Sequence, residues 1–356
     1  MNNTNKNNKY QDYKREFDSL VTEAKSIIIM SHTNPDDDSI SSSLAVYYYL
    51  TEVLNLTKPI RIVYTGDSKY DKRYSYFKNY NLIQFVENSP DNIKPADLVI
   101  VLDTNDFLRV TDKNESRNVS DFDNKFIIID HHKTHTDCEN FELCIKDLMS
   151  STAEVIYKLL WRNYKENINK DIAEILLLGI IGDTGQFKYV ANTHMYKDTL
   201  QVTDELIKYG DIYLEELISK YDKTDIAELQ VFSILARNLK IENIKGLPPF
   251  AYTYVENEEL KGFVNTQILG GINSFKNVIK SIYGADWGFM VRPKPAGGYA
   301  VSFRAIPNSI NVREIAEHFG GGGHDLASGA DLPENVDSAK SGVRLILEYL
   351  KTIAKK

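Results

Sequence analysis

Only two cysteines occur in this chain, Cys138 and Cys144, six residues apart. That excludes a disulfide-stapled scaffold and a thiolate-rich zinc site, both of which need more cysteines. With no metal-ligand company beside them, the two read as free thiols in a reducing cytoplasm. Long apolar runs are missing as well. The longest, Ile175 to Ile181, falls far short of the roughly 20 residues of a membrane span and reads as the end of a buried helix. Met1 to Lys14 is rich in Asn and Lys and holds no apolar stretch. It makes no signal peptide and reads as a frayed tail. The expected location is the cytoplasm, away from any membrane.

A basic excess is absent too: the net charge is −8. A protein that coats long duplex nucleic acid carries the opposite sign. A short anionic partner is compatible with it, because residues 261–330 hold seven Lys and Arg against four Asp and Glu, a local balance of +3. The rest of the composition, 42% hydrophobic and 26% charged over 356 residues, belongs to a globular protein long enough for two full cores.

What is present is a set of four clusters: His32-Thr33-Asn34-Pro35-Asp36-Asp37-Asp38, Asp103, Asp130-His131-His132 and Asp183. Three stand at the ends of apolar, β-branched runs: Ser26 to Met30, Leu98 to Leu102 and Phe126 to Ile129. Continuous runs of this kind read as buried parallel strands. Asp183 ends the run Leu176 to Ile181, read as a helix. In an open α/β sheet the binding crevice lies at the carboxyl ends of the strands. The pattern gathers carboxylates and imidazoles at one sheet edge, and four of the seven histidines fall in such clusters, His324 included. Each piece has a plainer reading: an Asp-rich helix start at 36–38, a loop-capping Asp103, a surface pair at 131–132, a turn Asp183. As a set they suit divalent cations. Carboxylates with single imidazoles and no thiolate favour Mn²⁺, with Mg²⁺ as the alternative, over structural Zn²⁺. Two such ions about 3.5–4 Å apart serve phosphoryl displacement by hydroxide from a shared water.

Strand and helix alternate through the first part, which predicts an α/β domain, 1–222, with a mainly parallel sheet and helices on both faces. Ser39 to Val53 reads as a helix capped by Asp38 or Ser39. A connecting helix and linker occupy 223–245. After Lys245-Gly246-Leu247-Pro248-Pro249 the composition shifts to a smaller α/β domain, 246–356. There Gly320-Gly321-Gly322-Gly323-His324 reads either as a flexible linker or as a loop whose exposed N–H groups form an anion nest. Arg304, ending a strand, offers a forked donor for phosphate.

These motifs resemble the DHH phosphoesterase superfamily, in the branch that joins a DHH domain to a DHHA1 domain. The likeness runs from about Lys25 to the end and rests on the order of the motifs: the His32 loop, Asp103, the 130–132 triplet, Asp183-Thr184-Gly185-x-Phe187 and Gly-Gly-Gly-Gly-His. It implies one metal on His32, Asp36 and Asp103, and a second on Asp38, Asp103, His131 and Asp183. It implies that His132 stands beside the scissile phosphate while Asp130 orients the neighbouring imidazole. It also implies that Arg304, Gly321, Gly322, Gly323 and His324 bind substrate across a cleft between the domains.

Two positions depart from the pattern: Asp37 stands where Gly is usual, and Leu326-Ala327-Ser328-Gly329 where two alanines precede glycine. The implied activity is metal-dependent hydrolysis of short oligoribonucleotides (nano-RNA, pApA), of 3′-phosphoadenosine 5′-phosphate, or of both, to nucleoside 5′-monophosphates. The alternatives are a cyclic di-AMP phosphodiesterase and a nucleotide sensor without turnover. A homodimer is compatible with each.

Overall fold

The computed structural model describes all residues except 1–2, 34, 66–70, 87–92, 94–95, 107–108, 111–121, 133–137, 189–192, 296 and 355–356. Asn34 of the first motif lies outside the described residues. The chain divides into two units, Met1–Lys223 and Thr224–Lys356.

The first unit runs α1 (Asn3–Glu23), β1 (Ile27–Ser31), α2 (Asp37–Tyr48, extended by a π-helical turn at Tyr49–Val53), β2 (Ile60–Thr65), β3 (Ile83–Val86), β4 (Leu98–Leu102), β5 (Lys125–Asp130), β6 (Leu143–Lys146), α3 (Thr152–Ile156, extended by a π-helical turn at Tyr157–Trp161), α4 (Lys170–Asp183), α5 (Thr193–Gly210) and α6 (Leu214–Tyr221). Its six strands are all parallel, in the order β3-β2-β1-β4-β5-β6. The order reverses between β1 and β4, the topological switch point where open α/β sheets bind ligands. Every residue of β1 and of β4 is buried, which explains their unbroken apolar runs.

Ile29, Ile100 and Ile129 share a core with Phe17, Leu44 and Leu177 of the helices. Ile28, Val99 and Ile128, on the opposite face, pack with Ile93, Val110 and Phe122. Among the described residues that second core contains no helical residue.

Two expectations are corrected. The described part of the N-terminal segment is helical: α1 begins at Asn3, Phe17 and Val21 are fully buried, and the Tyr10 hydroxyl donates to Asp147 at 2.8 Å. Its apolar positions, Tyr10, Tyr13, Phe17, Leu20 and Val21, recur at three and four residues, hidden among Asn and Lys. The cysteines are not free thiols either. A 3₁₀ turn at Cys138–Asn140 leads back into β6 and brings Cys138 to Cys144 as a disulfide, with Cα atoms 5.7 Å apart.

The second unit runs α7 (Ile226–Arg237), β7 (Lys240–Glu242), β8 (Phe250–Tyr254), α8 (Asn265–Lys276), β9 (Trp287–Pro293), β10 (Tyr299–Ala305), α9 (Val312–His318), β11 (Gly322–His324), β12 (Ala327–Asp331) and α10 (Ala339–Ile353). Its sheet has the order β11-β12-β10-β9-β8-β7, with only β8 and β9 parallel. One face packs Phe289 and Phe303 with Ile315 and Ile346 of α9 and α10. The other packs Met290 with Val231 and Ile272 of α7 and α8. No helix among the described residues is long and apolar enough to cross a membrane.

Phe17→Ala tests the docking of α1. Emptying a fully buried aromatic site costs about 3–5 kcal/mol, so urea unfolding should show a loss of that order. A loss below 1 kcal/mol would return the segment to a loosely attached tail.

Candidate metal centre

The carboxyl ends of β1, β4 and β5 carry the site. Ser31 ends β1, and its hydroxyl donates to Leu102 O at the end of β4, 2.6 Å away. His32 follows directly. Asp36 is the N-cap of α2: its carboxylate accepts from Ser39 N at 3.0 Å, and Ser39 Oγ accepts from Asp36 N at 2.8 Å. The cap is therefore Asp36, neither Asp38 nor Ser39, because a side-chain oxygen reaches a donor two or three residues on. Asp38, in the first turn, is fully buried. Gly179 of α4 makes room for it, since a Cβ there would lie 2.7 Å from Asp38 Oδ1. Asp103 follows β4 with φ +59°, a left-handed conformation that Asp tolerates better than most residues. Asp183 is the last residue of α4. After it Gly185, Gln186 and Phe187 all have positive φ and turn the chain.

Three groups of donor atoms result: His32, Asp36 and Asp103; Asp38, His131 and Asp183; and Asp103, His131 and His132. Within each group one atom per residue lies within 4.8 Å of the others. His32 Nδ1 faces Thr33 O at 3.0 Å. A carbonyl only accepts, so Nδ1 carries a proton and Nε2 looks toward Asp103 Oδ2 at 3.4 Å and Asp36 Oδ2 at 3.6 Å. His131 repeats the arrangement. Its Nδ1 faces Met149 O at 3.1 Å, and its Nε2 lies 3.0 Å from Asp183 Oδ2 and 3.6 Å from Asp103 Oδ1. That Nε2 is buried and, despite this proximity, has no hydrogen bond of acceptable geometry.

The electrostatics match this crowding. Burial, then repulsion from Asp103 and Asp183, pushes the Asp38 carboxyl well above its ordinary value. Burial raises Asp183 as well, against the opposing pull of His131. Burial alone would lower the two imidazoles. Asp103 and Asp36 outweigh it at His32, and Asp183 and Asp38 at His131, so each is pushed up to about 10. Left without metal, the cluster borrows protons to hold its acceptors together. A buried lone pair aimed at carboxylates, in a donor set of oxygen and single imidazoles, fits a divalent cation.

The surroundings position these groups. Asp38 accepts from Thr152 N at 2.6 Å and Ala153 N at 2.9 Å, and Thr152 Oγ1 donates to Asp103 Oδ1 at 3.0 Å. Bonds from backbone N–H to a charged acceptor are worth about 1.5–3 kcal/mol each. Thr152 was not apparent as a site residue; the only signal was Ser150-Ser151-Thr152 ahead of a helix. His132 lies at the exposed edge of the cluster, 41% exposed, with Nδ1 at 2.8 Å from the buried Asp130 and 3.7 Å from Asp103 Oδ1. Burial disfavours the Asp130 charge, but His132 holds the carboxyl below its ordinary value. Asn105 Nδ2 donates to the other Asp130 oxygen. Asp37 takes the place of a glycine without entering the cluster: its oxygens accept from Tyr74 at 2.5 Å and Tyr221 at 2.7 Å.

In the second unit Arg304 pairs with Ala327, and Ala327 with His324, so the two predicted phosphate contacts occupy one row across three strands. The glycine run is no linker: Gly320 and Gly321 lie in the turn after α9 and Gly322–His324 form the edge strand β11, where Gly323, at φ +134°, closes on Ala327 O too tightly for a Cβ. Lys276 of α8 is a further cation on this face, not singled out by sequence. Burial, then the charges of Arg304 and Arg292, pushes it down to about 8.

Proton bookkeeping supplies a test. The folded pKa values of His32 and His131 are raised above the unfolded value of about 6.5. Their contribution is complete below that pH and lost as pH rises through about 10. The Tm of EDTA-treated protein should therefore fall between pH 7 and 9. The Tm gain on adding Mn²⁺ should grow over the same range, because only neutral imidazole ligates. A gain independent of pH would contradict this.

Comparison with known proteins agrees with the geometry. The DHH family N-terminal domain model matches residues 26–180, and the DHHA1 domain model residues 248–355. A bifunctional oligoribonuclease and PAP phosphatase NrnA from Bacillus subtilis is 24% identical over 90% of this chain and 93% of its own length. A probable protein of the same name from Streptococcus mutans is 29% identical over 90% and 96%. The cyclic-di-AMP phosphodiesterase PdeA of Listeria monocytogenes is 26% identical over 92% of this chain, which spans about half of that protein, 48%. A Bacteroides fragilis exopolyphosphatase-related protein shares the fold, with TM-score 0.78, 23% identity and coverage of 97% and 98%. Motif order, all-parallel sheet and paired domains converge, and the chain belongs to the DHH/DHHA1 phosphoesterase superfamily.

Proposed function

We propose that this chain is an Mn²⁺-dependent phosphodiesterase that hydrolyses short 5′-phosphorylated oligoribonucleotides, down to dinucleotides such as pApA, to nucleoside 5′-monophosphates. The same site would take 3′-phosphoadenosine 5′-phosphate. The observation that carries the reading is two acceptor groups, His32–Asp36–Asp103 and Asp38–His131–Asp183, linked by the approach of His131 Nε2 to Asp103 Oδ1 at 3.6 Å, with the His132 ring at their edge. Full-length similarity to the two NrnA proteins supports this choice of substrate. The similarity to PdeA favours cyclic di-AMP as the second reading.

In this mechanism His32, Asp36 and Asp103 would hold one cation, and Asp38, Asp103, His131 and Asp183 would hold the other. Bound divalent cations offset phosphate charge and make water acidic enough to serve as a nucleophile at neutral pH. Asp38 is kept in place by the α3 amides, and the His32 and His131 rings by backbone carbonyls. His132 moves the proton. With Nδ1 anchored on Asp130, its Nε2 delivers a proton to the leaving 3′-oxygen. The P–O3′ bond breaks, and the water oxygen stays on the released 5′-phosphate. No side chain becomes phosphorylated. Arg304 and His324, with the Gly321–Gly323 backbone, take the phosphate at the far end of the substrate.

Substrate length tests the reading. kcat/KM on 5′-phosphorylated RNA of two, five and twenty-four nucleotides should fall steeply with length. Arg304→Ala should raise KM most on the dimer, while bis-p-nitrophenyl phosphate, which lacks a terminal phosphate, suffers less. Asp103→Ala should remove roughly a thousandfold or more of turnover on every substrate with the circular dichroism unchanged. Equal rates at two and twenty-four nucleotides would reject the short-substrate reading. Faster turnover of cyclic di-AMP than of pApA would favour the second one.

A further inference from the structure

The reading above leaves one cavity unused. It measures about 240 Å³ and lies wholly within the second unit, where the start of α8 meets the end of β9. It is not the Arg304 row. On the β9–β10 ladder Arg304 pairs with Gly288, whereas Arg292, which lines the cavity, pairs with Ala300. Four residues at about 3.3 Å each place the two rows roughly 13 Å apart.

Three cations line it: Lys261, Arg292 and Lys294. Arg292 Nε is buried without a hydrogen-bond partner, and Nη1 reaches only Pro293 O, at 3.4 Å. A buried guanidinium N–H left in this state favours an incoming acceptor. Lys294 is engaged with Asp331 at 2.8 Å, which leaves Arg292 and Lys261 as the main attractors. Helix α8 adds to them. Its N-cap, Val264, offers no side-chain acceptor to the first turn, although Val264 N itself donates to Gln267 Oε1 at 3.1 Å, and Asn265, the first residue of that turn, lines the cavity. The start of a twelve-residue helix favours an anion. The lining also includes the apolar side chains of Leu260, Ile268 and Leu269. A lining that combines cations with aliphatic side chains suits a phosphate joined to a ring.

We propose that this cavity binds a nucleoside 5′-monophosphate. Its phosphate would lie on Arg292, Lys261 and the first turn of α8, and its base against Leu260, Ile268 and Leu269. Within the second unit this cavity lies apart from the row of Arg304 and His324.

The test uses the full chain carrying Asp103→Asn and treated with EDTA, which removes metal-dependent binding. Calorimetric titration with AMP should show saturable binding, at least tenfold tighter than with adenosine or inorganic phosphate. Arg292→Gln should weaken AMP at least tenfold. Leu269→Glu should do the same from a position 39% exposed, and it decides the matter if the Arg292 variant does not fold. In the otherwise wild-type chain, Arg292→Gln should leave the dinucleotide KM within twofold. Absent AMP binding, AMP binding untouched by both variants, or phosphate binding as tight as AMP would each overturn the nucleotide site. A dinucleotide KM that rises in parallel would overturn its separateness and make the cavity an arm of the substrate site. If dinucleotides are not hydrolysed at all, the proposed activity fails while the AMP titration still decides this one.

Discussion

The centre of this molecule is an electrostatic conflict. Asp103 projects from the end of β4 into a space already faced by Asp38, Asp183 and the Nε2 atoms of His32 and His131. With the imidazoles neutral and the carboxyls ionised, every atom aimed at that space is an acceptor. Burial removes the water that would otherwise separate them. The metal-free chain reconciles this by holding extra protons on the imidazoles and on Asp38, and the proposed divalent cations would take the place of those protons. The switch point between β1 and β4 is what brings these strand ends together.

The neighbouring structure keeps the conflict from relaxing. Asp38 cannot swing away because the first amides of α3 hold both its oxygens, and Gly179 lets α4 close over it. The left-handed backbone at Asp103 fixes where that carboxylate projects. His132 is held at the edge of this arrangement by its bond to Asp130, which in turn holds Asn105. Two adjacent histidines therefore do different work, one inside the cluster and one at its exposed edge. Asp37, the chain's own departure from its family, is drawn off by Tyr74 and Tyr221. An extra carboxylate is thus accommodated between Asp36 and Asp38 without joining their cluster.

Much of this was legible in the residues because buried parallel strands advertise themselves. Three β-branched runs, each ending in a polar residue, place the ends of β1, β4 and β5 together once the sheet is assumed parallel. Short or amphipathic elements left no such mark. β3 and β6 have four residues each, too few for a period to emerge. The pattern of α1 was masked by the Asn and Lys between its buried positions. Thr152 and Lys276 matter through tertiary neighbours more than a hundred residues away or on another strand, which no local pattern encodes. The disulfide escaped for a similar reason: six residues of separation say nothing about a turn that returns one cysteine to the other. The glycine run was seen as a feature, but its pairing with β12 depends on Gly329 and Ser328 across the hairpin.

The central claim is that Asp103 is shared between two cations. Crystals grown with Mn²⁺ and measured for anomalous scattering address it directly. Two peaks about 3.5–4 Å apart, both within coordination distance of Asp103, with His32 on one side and His131 on the other, are the expected result. A single peak, or two peaks that do not share Asp103, would contradict the account.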